Sequence, residues 1–330
     1  MAPPTWTKVL SHSSIQRSSQ TLSILASNAY IYGGELKPRE PVDSSVYRIP
    51  LGQNATPMTE RTITQLTPPK APQPRVGAAS TTLNNKIYIF SGRGGTAMAP
   101  IEENGSFWVF DTTTNIWEQV FPSDAGSNYP VGRSYHALTN DGHSTIYLHA
   151  GCPEQGRLND FWSFDLRTRV WRELPAAPGV ARGGTSIAFA KGRVYRMNGF
   201  DGKSEIGGTV DVFDIGREVW ESVSFAADGV SGPVPRSVSC LVAVGGELVT
   251  MFGEGNPSAL GHHGAGKMFS DVWAFDTEER KWEEVRVEGD GPVARGWFDA
   301  EAVDDGVVVQ GGLGEDNQRL GDLWKLRLDF

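Results

Sequence analysis

Cysteine is nearly absent from this chain. Cys152 and Cys240 are the two in 330 residues, and they fall in different stretches of the sequence, so no disulfide framework holds the protein together. A reducing compartment is the expectation. No apolar segment approaches the roughly 20 residues that a membrane helix needs, and the N-terminal MAPPTWTKVLSHSSIQRSSQ lacks a basic start followed by an apolar run. No secretory signal, no membrane contact and a cytoplasmic location are therefore expected. Basic residues are the minority, 30 against 39 acidic for a formal net charge of −9, and no Lys/Arg-rich run stands out. Nucleic acid and anionic membrane are poor partners for such a surface.

What the chain has instead is a repeat. FWVFDTTTNIWEQV, FWSFDLRTRVWREL, VDVFDIGREVWESV and VWAFDTEERKWEEV each place an aromatic-Asp pair, a short polar turn and a Trp in alternating apolar and polar surroundings. That pattern is a hairpin of two strands. A second hairpin precedes each one, as in GRSYHALT followed by TIYLHAG, and its second strand ends in glycine. Asp111, Asp165, Asp214 and Asp276 recur at about 50 residues, the period of kelch propeller blades. The resemblance to kelch repeats covers essentially the whole chain and predicts an all-β, six-bladed kelch β-propeller that forms one domain over 1–330. Blade one departs from the pattern, because VYRIPL lacks the Asp and TITQLT lacks the Trp. The last copy ends LGDLWKLRLDF, short of a fourth strand, and TWTKVL near the N-terminus matches the missing one. The N-terminal strand is expected to close the last blade and leave no open edge. Trp6, Trp117, Trp171, Trp220 and Trp282 are expected between neighbouring blades.

An arginine opens every blade: Arg17, Arg75, Arg133, Arg182, Arg236 and Arg295. Such regularity favours a structural role over a ring of cations aimed at an anion. His12, His136, His143 and His149 carry no assignment. Loops joining the second and third strands of each blade emerge on one face and hold the irregular residues, Arg93, Glu154, Arg157, Asp201, Lys203, Glu254 and His262. Two arginines outside the repeat suit a sulfate, phosphate or carboxylate. The longest of these loops, between Met251 and Asp276, is glycine-rich and carries Glu254, Ser258, His262 and His263. The spacing of four would stack Glu254, Ser258 and His262 on one face of a helix, with Pro257 at its start. A carboxylate and imidazoles suit Fe(II), Zn or Mn. A solvated loop without metal is the other reading.

The chain also resembles the plant specifier proteins, kelch proteins that direct glucosinolate breakdown to nitriles, epithionitriles and thiocyanates. The resemblance implies an Fe(II) cofactor held in a Glu-x3-Asp-x3-His loop, here Glu254, Ser258 and His262, with His263 as a further candidate. Ser258 stands where the family has its metal-binding Asp. It also implies that Arg93 and Arg157 hold the sulfate of a small anionic substrate, with Tyr135 and Trp297 walling the pocket, in an Fe(II)-dependent carbon-sulfur lyase of nitrile-specifier type. The rival is a noncatalytic propeller that docks a protein partner on its loop face. A copper radical oxidase would need a Tyr-Cys crosslink for which neither cysteine has the surroundings, and a sugar epimerase acting on sialic acid through arginines stays open.

Overall fold

The structure is a computed structural model that describes residues 3–52, 62–124, 126, 128–328 and 330. Its main strands form six four-stranded antiparallel sheets. Blade one contains Ser18–Leu25, Asn28–Lys37, Val46–Pro50 and Thr64–Leu66, with Glu40–Pro41 paired alongside. Blade two contains Ala79–Leu83, Lys86–Phe90, Phe107–Asp111 and Ile116–Val120, and blade three Ala137–Asn140, Thr145–Gly151, Leu158–Asp165 and Val170–Leu174. Blade four contains Ser186–Ala190, Arg193–Met197, Thr209–Asp214 and Val219–Ser224, and blade five Cys240–Val244, Glu247–Met251, Val272–Asp276 and Lys281–Glu284. Blade six contains Asp299–Val303, Gly306–Gln310 and Asp322–Arg327, and its outer strand is Thr5–Ser11 from the chain's start. Trp6 lies opposite Leu326 and Lys8 opposite Trp324 in that closing pair. The first strands of the six blades contact one another in sequence around the axis, blade six against blade one included.

Apolar clusters fill the interfaces between blades. Trp117 packs among Tyr30, Tyr32 and Val46 of blade one, and Trp171 among Ile146, Leu148 and residues of blade two such as Phe107. Trp220, Trp282 and Trp6 occupy the corresponding places between blades three and four, four and five, and five and six. The one interface without such a tryptophan, between blades six and one, is built from Val9, Leu10, Ile15, Leu22 and Tyr47, with Ile63 against them. Blade one, irregular in sequence, thus replaces an indole by several smaller groups.

The six repeated arginines are buried and turn inward to the backbone. Arg17 donates to the Gly33 carbonyl, Arg75 to Ser91, Arg133 to Ala150, Arg182 to Asn198, Arg236 to Phe252 and Arg295 to Gly311. In four blades an acid completes the pairing: Glu103, Asp160, Asp271 and Asp322 each hold the arginine by two bonds. The same acids accept the indole N–H of Trp108, Trp162, Trp273 and Trp324. Arg17 instead lies over the Tyr47 ring, 4.5 Å from its centroid. These cations hold blades together and do not form a ring facing solvent.

Two residues beyond each of these arginines the backbone turns left-handed, at Ser19, Gly77, Tyr135, Gly184, Val238 and Trp297, with φ between 46 and 61°. Each of the six amides donates to the carbonyl of its counterpart in the preceding blade. The sequence of bonds runs Gly77 to Ser19 (2.9 Å), Tyr135 to Gly77 (2.7 Å), Gly184 to Tyr135 (2.9 Å), Val238 to Gly184 (2.9 Å), Trp297 to Val238 (3.2 Å) and Ser19 to Trp297 (2.8 Å). This is a closed collar about the propeller axis. A β-branched residue such as Val238 is seldom found at positive φ, and the collar holds it there.

Candidate functional site

Tyr135, Gly184, Val238 and Trp297 of the collar line two cavities, one along the axis and one at the loop-face mouth. The axial channel, about 350 Å³, is walled by the first strands and lined by Asp299 and Glu301 but by no Arg or Lys. The mouth cavity is about 390 Å³ and its charged lining includes Arg39, Arg93 and Arg157. Of the two cavities, the mouth is the one with arginines in its lining, beside Glu35, Glu154 and Glu254.

Arg93 lies in the short strand Arg93–Gly94, paired on one side with Arg75–Val76 and on the other with Ala99–Pro100. Its guanidinium is held by three bonds, Nε to the Ser134 hydroxyl (2.9 Å), Nη1 to the Met98 carbonyl (3.0 Å) and Nη2 to the Pro153 carbonyl (2.7 Å). Of its five N–H groups, two are left for a ligand. Arg157 is held differently. Its guanidinium carbon sits 5.0 Å from the centre of the Phe200 ring, and its Nε is buried without a hydrogen-bond partner. A buried cationic nitrogen left unpaired beside a cavity makes Arg157 a candidate binding group.

Acids at the mouth do not cancel this charge. Glu35 is already engaged by Arg319 Nη2 (2.8 Å) and the Arg39 amide (2.7 Å). Glu254 is 4% exposed, and burial pushes its pKa up to about 7 against the opposing hydrogen bond from the Gly266 amide. Glu154 is exposed at the rim. Tyr135 and Trp297 are among the residues lining the cavity; burial raises the Tyr135 phenol's pKa, and its hydroxyl lies 3.3 Å from Ser19 Oγ.

The long loop of blade five differs from its expectation. No helix spans Glu254 to His262. Glu254 lies in the strand Glu254–Gly255, which pairs with Lys267–Met268, and a 3-10 turn occupies Gly261–His263. The glycines around Ser258 favour turns over a continuous helix, so the spacing of four does not stack side chains. Nor is the loop loosely attached: the Met268 amide donates to Glu315 and Asn317 donates to the His263 carbonyl, both from blade six. Gly266 is required beneath Glu254, since a Cβ there would stand 2.5 Å from Oε1.

Glu254 and Ser258 both line the cavity. The Ser258 hydroxyl accepts the Leu260 amide (3.2 Å). His263, in the 3-10 turn, is exposed and is not among the residues lining the mouth. The side chain of His262 lies outside the described residues. Among the described residues no three His, Cys, Asp or Glu side chains converge as a metal-binding group. Glu254 and an engaged hydroxyl do not by themselves make an Fe(II) site, since iron calls for several anionic or imidazole donors.

Residues that the sequence did not single out complete the wall: Phe200 under Arg157, Ser134 on Arg93, and Glu35. Nothing local marks them, because their roles arise from burial and from neighbours in other blades. Asp201, expected among the mouth groups, accepts the Lys203 and Ser204 amides in a turn. Both cysteines are free, and no helix among the described residues is long and apolar enough to cross a membrane.

The collar, the six sheets and the repeated arginine anchors define a kelch β-propeller. The chain belongs to the kelch-repeat family: residues 19–254 match the KLHDC2/KLHL20/DRC7 Kelch-repeats domain. It is similar to an N-(sulfonatooxy)prop-2-enimidothioate sulfolyase of Thlaspi arvense, 24% identical over 93% of this chain and 91% of the relative. It also resembles Kelch domain-containing protein 10 of Rattus norvegicus, 24% identical over 48% of this chain and 38% of that protein. Among solved structures, YjhT shares the fold with a TM-score of 0.73, 15% identity and coverage of 97% of this chain and 99% of the other.

Proposed function

We propose that this chain is a specifier-type enzyme that acts on a small sulfate-bearing substrate, of the sulfated thiohydroximate kind, at the mouth cavity. The observation that carries the reading is Arg157, a guanidinium with an unpaired buried nitrogen, lining the same cavity as a second, pre-positioned arginine. The Thlaspi relative's name gives a substrate with a sulfonatooxy group, and this chain resembles it along most of its length. Arg93 and Arg157 grip the sulfate and stabilise the negative charge that grows on it as it departs. Tyr135, Trp297 and Phe200 provide an apolar wall that limits the access of water to the reacting carbon and sulfur.

Fe(II) is the metal arm of the proposal. Glu254 offers the one oxygen not occupied by Gly266, and His262 would have to supply the imidazole; the metal would act as a Lewis acid toward sulfur. Iron content after anaerobic loading tests this arm separately, with stoichiometric iron expected in the unmodified protein and loss in Glu254→Ala.

The activity test is product analysis of a myrosinase-treated glucosinolate with Fe(II) present. Nitrile is expected with the protein, and Arg157→Ala is expected to lower its formation by about 10²-fold or more, the usual effect of removing one donor from a developing anion. Isothiocyanate alone, with and without the protein, removes the specifier reading and favours a noncatalytic propeller with a protein partner on this face.

A further inference from the structure

Arg157 and Glu205 both bear on one small hairpin of blade four and feel each other's charge. Glu205 bridges to Phe200 across it, and Arg157 lies over the Phe200 ring. Gly202, at φ +106°, keeps the turn clear of the guanidinium, since a Cβ there would stand 2.9 Å from Nη1. Opposite charges so placed ordinarily pair. Here Arg157 Nε and both carboxylate oxygens of Glu205 are buried without a hydrogen bond of good geometry, the Ser237 hydroxyl being close enough only to temper the Glu205 shift. An ionised carboxylate in that state is costly to bury, and a neutral carboxyl is far less so.

We propose that Glu205 is an internal competitor for the anion site: with a proton it stands back and leaves Arg157 open, and without one its carboxylate turns to Arg157 and shuts external anions out. The inference rests on the reading of the mouth as an anion pocket. Glu205 acts as a positioning residue, because it works through Arg157 and its oxygens are enclosed.

The electrostatics agree with the geometry. Burial pushes the Glu205 pKa up to about 8; Glu254 and Asp201 raise it further, while Ser237 and Arg157 oppose the rise. Asp201 is itself fixed by its turn and bears on Lys203 and Arg157, and Cys152 faces both Arg157 and Arg93. The open form therefore holds below about pH 8 and gives way above it. Coupling between two ligands is reciprocal, so an anion that needs the protonated form draws a proton in when it binds at higher pH.

The test is calorimetric titration of inorganic sulfate into metal-free protein between pH 6 and 9, for the unmodified chain and for Glu205→Gln. At pH 6 the two are expected to bind alike. Above pH 8 the unmodified chain is expected to weaken relative to the variant by up to about tenfold per pH unit, the limit for a single required proton. Glu254 is present in both proteins, so its titration cancels in the ratio. Repeating the pH 8.5 titration of the unmodified chain in buffers of different ionisation enthalpy gives proton uptake directly, whether or not the variant folds. Parallel pH profiles, or binding at pH 8.5 with no proton uptake, overturn the competitor and leave the anion pocket standing. Absence of sulfate binding at every pH overturns both.

Discussion

At the scale of single residues, one side-chain type does two jobs in this protein, and its partners decide which. Arg295 and Arg157 are both arginines near the propeller axis. Arg295 is fully buried, with bonds to Val293, Gly311 and both oxygens of Asp322, so its charge is spent within the fold. Arg157 has a stacking partner but a bare Nε, and its charge is available. Removing the acid from a satisfied pair leaves an isolated buried cation. Asp322→Ala is expected to destabilise the protein by about 3–5 kcal/mol, with the Trp324 indole also losing its acceptor; chemical denaturation reads this, and a cost below about 1 kcal/mol would refute it. The repeat in the sequence pointed to the structural arginines correctly. It could not show that Arg17 and Arg182 do without an acid, since Arg17 stacks on Tyr47 instead and Arg182 makes its bonds to the Val180 and Asn198 carbonyls.

Among elements, the closing strand Thr5–Ser11 has the most to support. It covers the edge of Asp322–Arg327, and Trp6 stacks on Phe252 with centroids 5.9 Å apart and meets Trp324 edge-on. Removing residues 1–11 bares a sheet edge, a template for association with other chains. That truncation is expected to elute as oligomers and unfold at lower temperature, and a peptide of residues 3–11 added in trans is expected to restore the monomer; a monomeric truncation of unchanged stability would refute the role of the seam. This seam was legible because TWTKVL carries the repeat's tryptophan. The blade-five loop was less so. Glu254, Ser258 and His262 have helical spacing, but spacing constrains side chains only when hydrogen bonding sustains the helix, and here Glu254 is drawn into a hairpin with Met268. Glu205 had no signal at all: an acid in a glycine-rich loop looks solvated until the fold encloses it.

For the whole molecule, the axial channel contributes to how stability responds to pH, as do Glu205 and Glu254 outside it. Burial pushes Asp299 up to about 7 and Glu301 up to about 8, the latter also through Asp299. The native state thus retains protons that an unfolded chain, with carboxyls titrating near 4, has released. Unfolding frees protons across this window, so stability from these groups is complete below about pH 4 and falls as pH rises toward 8. Glu301→Gln is expected to flatten the decline in melting temperature between pH 5 and 8; an unchanged slope would place the dependence elsewhere. The six-blade count and the order of strands could be read from repeats. The collar could not, because Ser19, Gly77, Tyr135, Gly184, Val238 and Trp297 share a backbone conformation and no side-chain chemistry.

That collar has a consequence for how the pocket comes into being. Every blade contributes one link to it, and the last link joins Ser19 to Trp297 across nearly the full length of the chain. A chain with five blades folded would own both arginines and Tyr135, Gly184 and Val238, and would still lack Trp297, the last collar residue of the mouth lining. The cavity wall is therefore complete only when blade six has met blade one.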